Sequence, residues 1–245
     1  MVQNILKEKG FTIFRKDSWL NDDKELKKIL KIAEKRIFFY NLISLSGLRN
    51  FIDIFKRKVF KIKTSKVFLV ELLKKSEYHK IKSLSKITKN PFIISTVKNY
   101  LGKNAKLTGL GLWYSKKLNI KYHKSQLFHL DKKGEYIKVF ICLSNINASN
   151  GAFTFIDAFE TKKFFQNKEN VLKTTSLKFD DVSINSFFNN DKINRFTGSF
   201  GDITFCDTTR CLHQGSRVSR GYRIMLMMVF SNTQMKGDKS SEILI

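Results

Sequence analysis

The sequence is short of the residues that staple or punctuate small secreted folds, with one proline, 12 glycines and three cysteines in 245 residues. An odd, scattered set of three cysteines excludes a disulfide framework and points to a reducing compartment. Long apolar runs are missing too. The longest, Ile224 to Phe230, falls far short of the roughly 18 residues that a membrane span needs. Lys7, Glu8 and Lys9 stand where a secretory signal would carry its apolar stretch. Acidic residues are scarce as well, 21 Asp and Glu against 46 Lys and Arg. What is present is 42% hydrophobic and 13% aromatic residues, enough for a real core. The expectation is one soluble, cytoplasmic globular domain spanning residues 1–245.

A net charge of +25 raises nucleic acid or an acidic surface as a partner. The excess is densest at Lys56, Arg57, Lys58, Lys61, Lys63 and Lys66. However, Lys outnumbers Arg 37 to 9, and Phe reaches 23 while Pro occurs once. That joint bias is what A/T-rich codon usage imposes on any protein. Arginine, which makes the bidentate contacts of base and phosphate recognition, is the scarce cation. Nucleic acid is therefore not the expected partner.

Two halves differ in period. In the first, Asn21-Asp22-Asp23 is a capping cluster ahead of Leu26, Ile29, Leu30 and Ile32, so a helix is predicted. Phe68, Leu69, Leu72 and Leu73 suggest another. Asn90-Pro91 starts a third, running to about Tyr100. Residues 1–105 thus read as a helical N-terminal part. From about residue 107, short β-branched and aromatic runs take over: 110–115, 126–131, 136–144 and 152–156. A polar, Asn-rich segment (roughly 159–199) interrupts them, and the strand pattern resumes at 202–205 and 222–230. This predicts a mainly β fold with α, an antiparallel sandwich or barrel over 106–232 under a helical N-terminal layer, and a tail at 233–245.

Of four histidines, His129 stands in a clear strand, two residues from Asp131. In an extended chain both project to one face while Leu130 points away. A histidine and a carboxylate side by side are two thirds of a facial triad for non-haem iron(II). The remaining ligand must come from a distant strand, and His213 is the one downstream histidine. Ten residues later Arg223 opens an apolar strand. A two-strand hairpin between them would return its guanidinium towards His213. A buried arginine is the partner that the far carboxylate of a keto acid such as 2-oxoglutarate needs.

At these residues the sequence resembles the phytanoyl-CoA dioxygenase family. The likeness runs through Phe128-His129-Leu130-Asp131, through 138–146, through Asn150-Gly151-Ala152-Phe153, and through 201–208 to His213 and Arg223. It covers roughly residues 107–232. The resemblance implies a double-stranded β-helix (a jelly-roll) holding Fe(II) and 2-oxoglutarate. His129, Asp131 and His213 would be the metal ligands, and Arg223 would anchor the co-substrate's far carboxylate. It also implies that Phe140 lines the co-substrate pocket, where the residue pattern alone equally allows ordinary core packing. One departure stands out: the family's Pro-Gly-Ser-His loop is replaced by Asp157-Ala158-Phe159, so the substrate cannot be carried over.

Some assignments stay open from sequence. Arg217 and Arg220 lie close enough to Arg223 to replace it as the anchor. Lys138, a lone charge in an apolar strand, is either an edge residue or a carboxylate partner, and it joins Arg223 and Phe140 as a cofactor-binding candidate. Trp113 and Tyr114 are core aromatics or pocket walls. His79 and His123 read as surface residues. Cys206 and Cys211 read as buried thiols, with a spacing that fits no zinc motif. Asp202 is expected to shape a turn. The function predicted is an iron(II)- and 2-oxoglutarate-dependent dioxygenase that uses O2 to hydroxylate a small-molecule substrate, releasing succinate and CO2. The alternative is a non-catalytic basic jelly-roll that binds nucleic acid or an acidic partner.

Overall fold

Two antiparallel sheets face each other across a shared core. The computed structural model describes residues 2–45, 68–118, 121–122, 124–132, 134–167 and 178–232. The six-stranded sheet has the order β1-β9-β5-β11-β3-β2, where β1 is Phe11–Phe14, β2 Val70–Glu71, β3 Lys106–Lys116, β5 Tyr136–Cys142, β9 Ile203–Cys206 and β11 Tyr222–Ser231. The five-stranded sheet has the order β7-β4-β10-β6-β8. Its strands are β4 Phe128–His129, β6 Phe153–Phe155, β7 Lys178–Phe179, β8 Asn194–Phe196 and β10 His213–Gln214. All the pairings are antiparallel, as in a jelly-roll.

Strand parity sorts the side chains. On β5, Ile137, Val139 and Ile141 face away from the second sheet, and on β11 Ile224, Leu226, Met228 and Phe230 do the same. They pack against Leu26, Ile29, Ala33, Leu84, Ile87, Ile93 and Val97 of the helices Lys24–Leu45, Lys82–Thr88 and Pro91–Leu101. The opposite parity, with Phe140, Cys142 and Met225, packs on Phe153, Phe155 and Phe196 between the sheets. Phe128, Ile156 and Leu212 close the outer face of the smaller sheet with Phe164 and Ile184.

The predicted start of the helix at Pro91 is present, with Asn90 Oδ1 accepting from the backbone N–H groups of Phe92 and Ile93. Four expectations fail. Phe68–Leu73 is not helical: Val70 and Glu71 pair with Tyr114 and Trp113, because an apolar run buried on both sides is satisfied better by a sheet edge than by a one-faced helix. The first hundred residues are not all helix, since β1 pairs with β9. The segment 159–199 carries the helices Ala158–Gln166 and Asp181–Asn185, capped by Asp157 and Asp180, together with β7 and β8. Finally, His213 and Arg223 do not form a hairpin, because β10 and β11 belong to different sheets. The basic cluster at 56–66, His123 and the tail at 233–245 lie outside the described residues. No helix among the described residues is long and apolar enough to cross a membrane.

Candidate metal centre and its pocket

His129 and His213 are brought together by β-pairing. They are cross-strand partners in β4 and β10, and their ring centroids lie 4.5 Å apart. His129 Nδ1 is 2.8 Å from the Leu127 carbonyl, and His213 Nδ1 is 3.1 Å from the Cys211 carbonyl. A carbonyl only accepts, so each Nδ1 carries a proton, and in the neutral ring that leaves Nε2 as the lone-pair donor. Those Nε2 atoms turn towards Asp131, at 3.9 Å from Oδ1 for His129 and 3.6 Å from Oδ2 for His213. Asp131 is set by its own N–H, which donates to the Thr208 carbonyl at 2.9 Å. The three candidate ligand atoms lie within 4.8 Å of one another. Two imidazole lone pairs and one carboxylate on a common side are the donor set of a 2-His-1-carboxylate iron site.

Electrostatics keep His213 and Asp131 in the forms that a metal requires. Burial lowers His213 to about 3, outweighing the attraction of the Asp131 carboxylate, so its ring is neutral at physiological pH. Burial pushes Asp131 up, but the Lys138 ammonium and the nearby His213 hold it below the ordinary carboxylate range. Lys138 Nζ contacts Asp131 Oδ2 directly.

The same cavity, of about 230 Å³, is lined by Phe140, Phe153, Met225 and Met227, and Arg223 reaches into it. Arg223 is 6% exposed, and its Nη1 donates to the Gly151 carbonyl at 2.7 Å. Among the described residues its Nε has no partner and it forms no ion pair. Burial lowers it to about 10, which still leaves a cation at neutral pH. The competing arginines are elsewhere. Arg217 pairs with Asp181 at 2.7 Å and donates to the Gln126 carbonyl, while Arg220 is exposed.

Trp113 lines the cavity, whereas Tyr114 packs the other way against Tyr40. Its indole lies across Gly111, where a Cβ would come within 2.1 Å of Nε1, so glycine is what lets the ring lie there. His79 is exposed, and the three cysteines are free and buried. Asp202 shapes its turn by accepting from the Ser199 N–H and from Arg15. Residues that sequence reasoning did not single out also line the cavity. Met225 and Met227 share the parity of Arg223 and could have been found that way. Phe68, Leu69, Gln214 and Ser216 carried no signal of their own.

No protein-family model matches the chain, and no curated protein does. Solved structures do. The epimerase SnoN in complex with Fe3+, alpha ketoglutarate and nogalamycin RO matches with a TM-score of 0.55 at 13% identity, over 94% of this chain and 82% of that one. EctD from S. alaskensis, with 2-oxoglutarate and 5-hydroxyectoine, matches with a TM-score of 0.59 at 12% identity, over 94% and 74%. HygX from Streptomyces hygroscopicus, with nickel and 2-oxoglutarate bound, matches with a TM-score of 0.57 at 11% identity, over 94% and 85%. At these identities the likeness is one of fold.

Proposed function

We propose that this chain is an iron(II)- and 2-oxoglutarate-dependent oxygenase of the phytanoyl-CoA dioxygenase type, hydroxylating a small molecule. In this reading residues 1–245 form one catalytic domain, with the N-terminal helices layered on the jelly-roll. The observation that carries it is a coincidence in one cavity: an N, N, O donor set that faces into it, and a buried guanidinium with no counter-ion among the described residues. Packing does not explain the guanidinium, since an uncompensated buried cation costs several kcal/mol. The solved structures of the same fold that hold 2-oxoglutarate support the reading.

The donors suit a borderline divalent ion, and His129, Asp131 and His213 would hold it. Iron with 2-oxoglutarate and O2 would supply oxidative decarboxylation to succinate and CO2, coupled to oxidation of a substrate C–H bond. The protein's part is positional. The Leu127 and Cys211 carbonyls fix the imidazole tautomers, as outer partners of metal-bound histidines generally do. Arg223 would take the far carboxylate through two parallel N–H donors. Phe140, Phe153 and Met225 would flank the carbon chain and exclude water, and Lys138 would stand beside the ligand carboxylate.

Iron-loaded protein mixed anaerobically with 2-oxoglutarate should develop a weak visible charge-transfer band. In air it should release succinate when the right member of a substrate panel is added. A protein that retains iron yet shows neither would refute the proposal.

A further inference from the structure

Lys138 and Arg223 enter the cavity at opposite ends of its floor. Lys138 stands beside Val229 on β11, six residues beyond Arg223. At a strand rise of about 3.3 Å per residue that separates the two backbones by about 20 Å. Lys138 therefore does not double the Arg223 anion site. Its neighbour is Asp131.

Both oxygens of that carboxylate face an imidazole, Oδ1 towards His129 and Oδ2 towards His213. On that geometry alone an ion between the rings could take one oxygen or both. The Lys138 ammonium is in contact with Oδ2. We infer that Lys138 is a positioning residue for Asp131: it occupies Oδ2, leaves Oδ1 for the metal ion, and thereby keeps Asp131 a one-oxygen ligand. The inference rests on the proposed ligand set and adds to it a cation that the three-ligand pattern does not contain.

Two consequences run in opposite directions. A unit positive charge a few ångströms from the ion lowers metal affinity. Holding back one carboxylate oxygen keeps a coordination position open for the keto acid, so it raises co-substrate affinity. Lys138→Met should bind Ni(II) tighter by about tenfold or more, the scale expected for neighbouring charges at a partly buried site. The Ni(II)-loaded variant should bind 2-oxoglutarate about tenfold more weakly, because losing the charge-assisted Lys138–Asp131 contact frees Oδ2 to compete for that position. Lys138→Arg should restore both values. A lysine with a merely structural role would weaken both together.

The measurement is titration calorimetry with Ni(II), and then with 2-oxoglutarate on the Ni(II) protein. The absorption spectrum of Co(II)-loaded protein reads coordination number and should differ between wild type and Lys138→Met. Should the Met variant fold poorly, Lys138→Gln keeps an N–H for Oδ2 without the charge. It should show the tighter Ni(II) binding with 2-oxoglutarate affinity near wild type. Unchanged or weaker Ni(II) binding in both variants overturns the role of Lys138 alone. A wild-type protein that binds no Ni(II) overturns the ligand set and, with it, the role of Lys138.

Discussion

Replacing Arg223 by methionine should separate ligand binding from folding. Arg223 is 6% exposed, and its guanidinium has one partner among the described residues, the Gly151 carbonyl. A hydrogen bond from a charged donor contributes about 1.5–3 kcal/mol. An ion buried without a counter-charge costs several kcal/mol. The cost matches or exceeds the gain, so Arg223→Met should leave the ligand-free fold as stable as the wild type, or up to about 2 kcal/mol more stable. Truncating an ordinary large core side chain costs about 2–5 kcal/mol instead. With Ni(II) in place, 2-oxoglutarate at a hundred times its Kd should stabilise the wild type by about 2.7 kcal/mol. For a chain of this size that is a rise in Tm of roughly 5–10 °C. The variant loses the paired contact, and the same concentration should raise its Tm by less than about 2 °C. Thermal unfolding of both proteins with and without 2-oxoglutarate reads all four values. A variant that melts far below wild type without ligand would show the guanidinium to be structural. One that keeps the full ligand shift would show that the anchor lies elsewhere.

Two further outcomes follow from the ligand set. The folded-state value of His213, about 3, lies below its ordinary 6.5, so the unfolded chain takes up the proton first. The stability contributed by the neutral ring is therefore complete above pH 6.5 and is lost as the pH falls towards 3. About 2 kcal/mol should be gone at pH 5, read from urea unfolding of the chelator-treated protein at pH 8 and pH 5. His213→Asn should remove that slope, and parallel slopes for the two proteins would contradict the burial argument. Turnover in chloride or bromide buffer should give hydroxylated or desaturated product without halogen, because Asp131, as the proposed ligand, would fill the position that a halide needs. Halogenated product by mass spectrometry would remove Asp131 from the ligand set.

The donor residues were legible because strand alternation reports direction. His129 and Asp131 share a parity, as do Lys138, Phe140 and Cys142, and an arginine opening the apolar run 224–230 has no ordinary reason to be there. Proximity was less legible. Nothing local to Phe11–Phe14 or Val70–Glu71 says that these segments will edge a sheet, with pairing partners about 190 residues away for the first and about 40 for the second. Strands of two or three residues, such as β7 and β8, are shorter than the window in which a period can be counted. The contact between Lys138 and Asp131 crosses the turn after β4, and strand patterns carry no information about that turn's geometry. The hairpin expected between His213 and Arg223 failed for a related reason. Loop length is compatible with returning to the same sheet or crossing to the facing one, and only the pairing partners decide.

Those pairings also explain how donors 84 residues apart come to a fixed spacing. His129 and His213 are opposite each other in an antiparallel pair, and such partners have Cα atoms about 4.5–5.5 Å apart. The distance between the imidazoles is therefore set by the sheet and needs no contact between the side chains themselves. The outer face enforces the register. Phe128 and Leu212 pack into the apolar cluster with Phe164 and Phe179, and Leu130 is partly buried against it. His129, Asp131 and His213 alternate with these residues and so must point inward. A one-residue slip of either strand would put an imidazole into that apolar cluster and a leucine or phenylalanine into the cavity. The hydrophobic packing behind the smaller sheet thus selects the register that converges the three donors, and the site is as firmly determined as the core on which it rests.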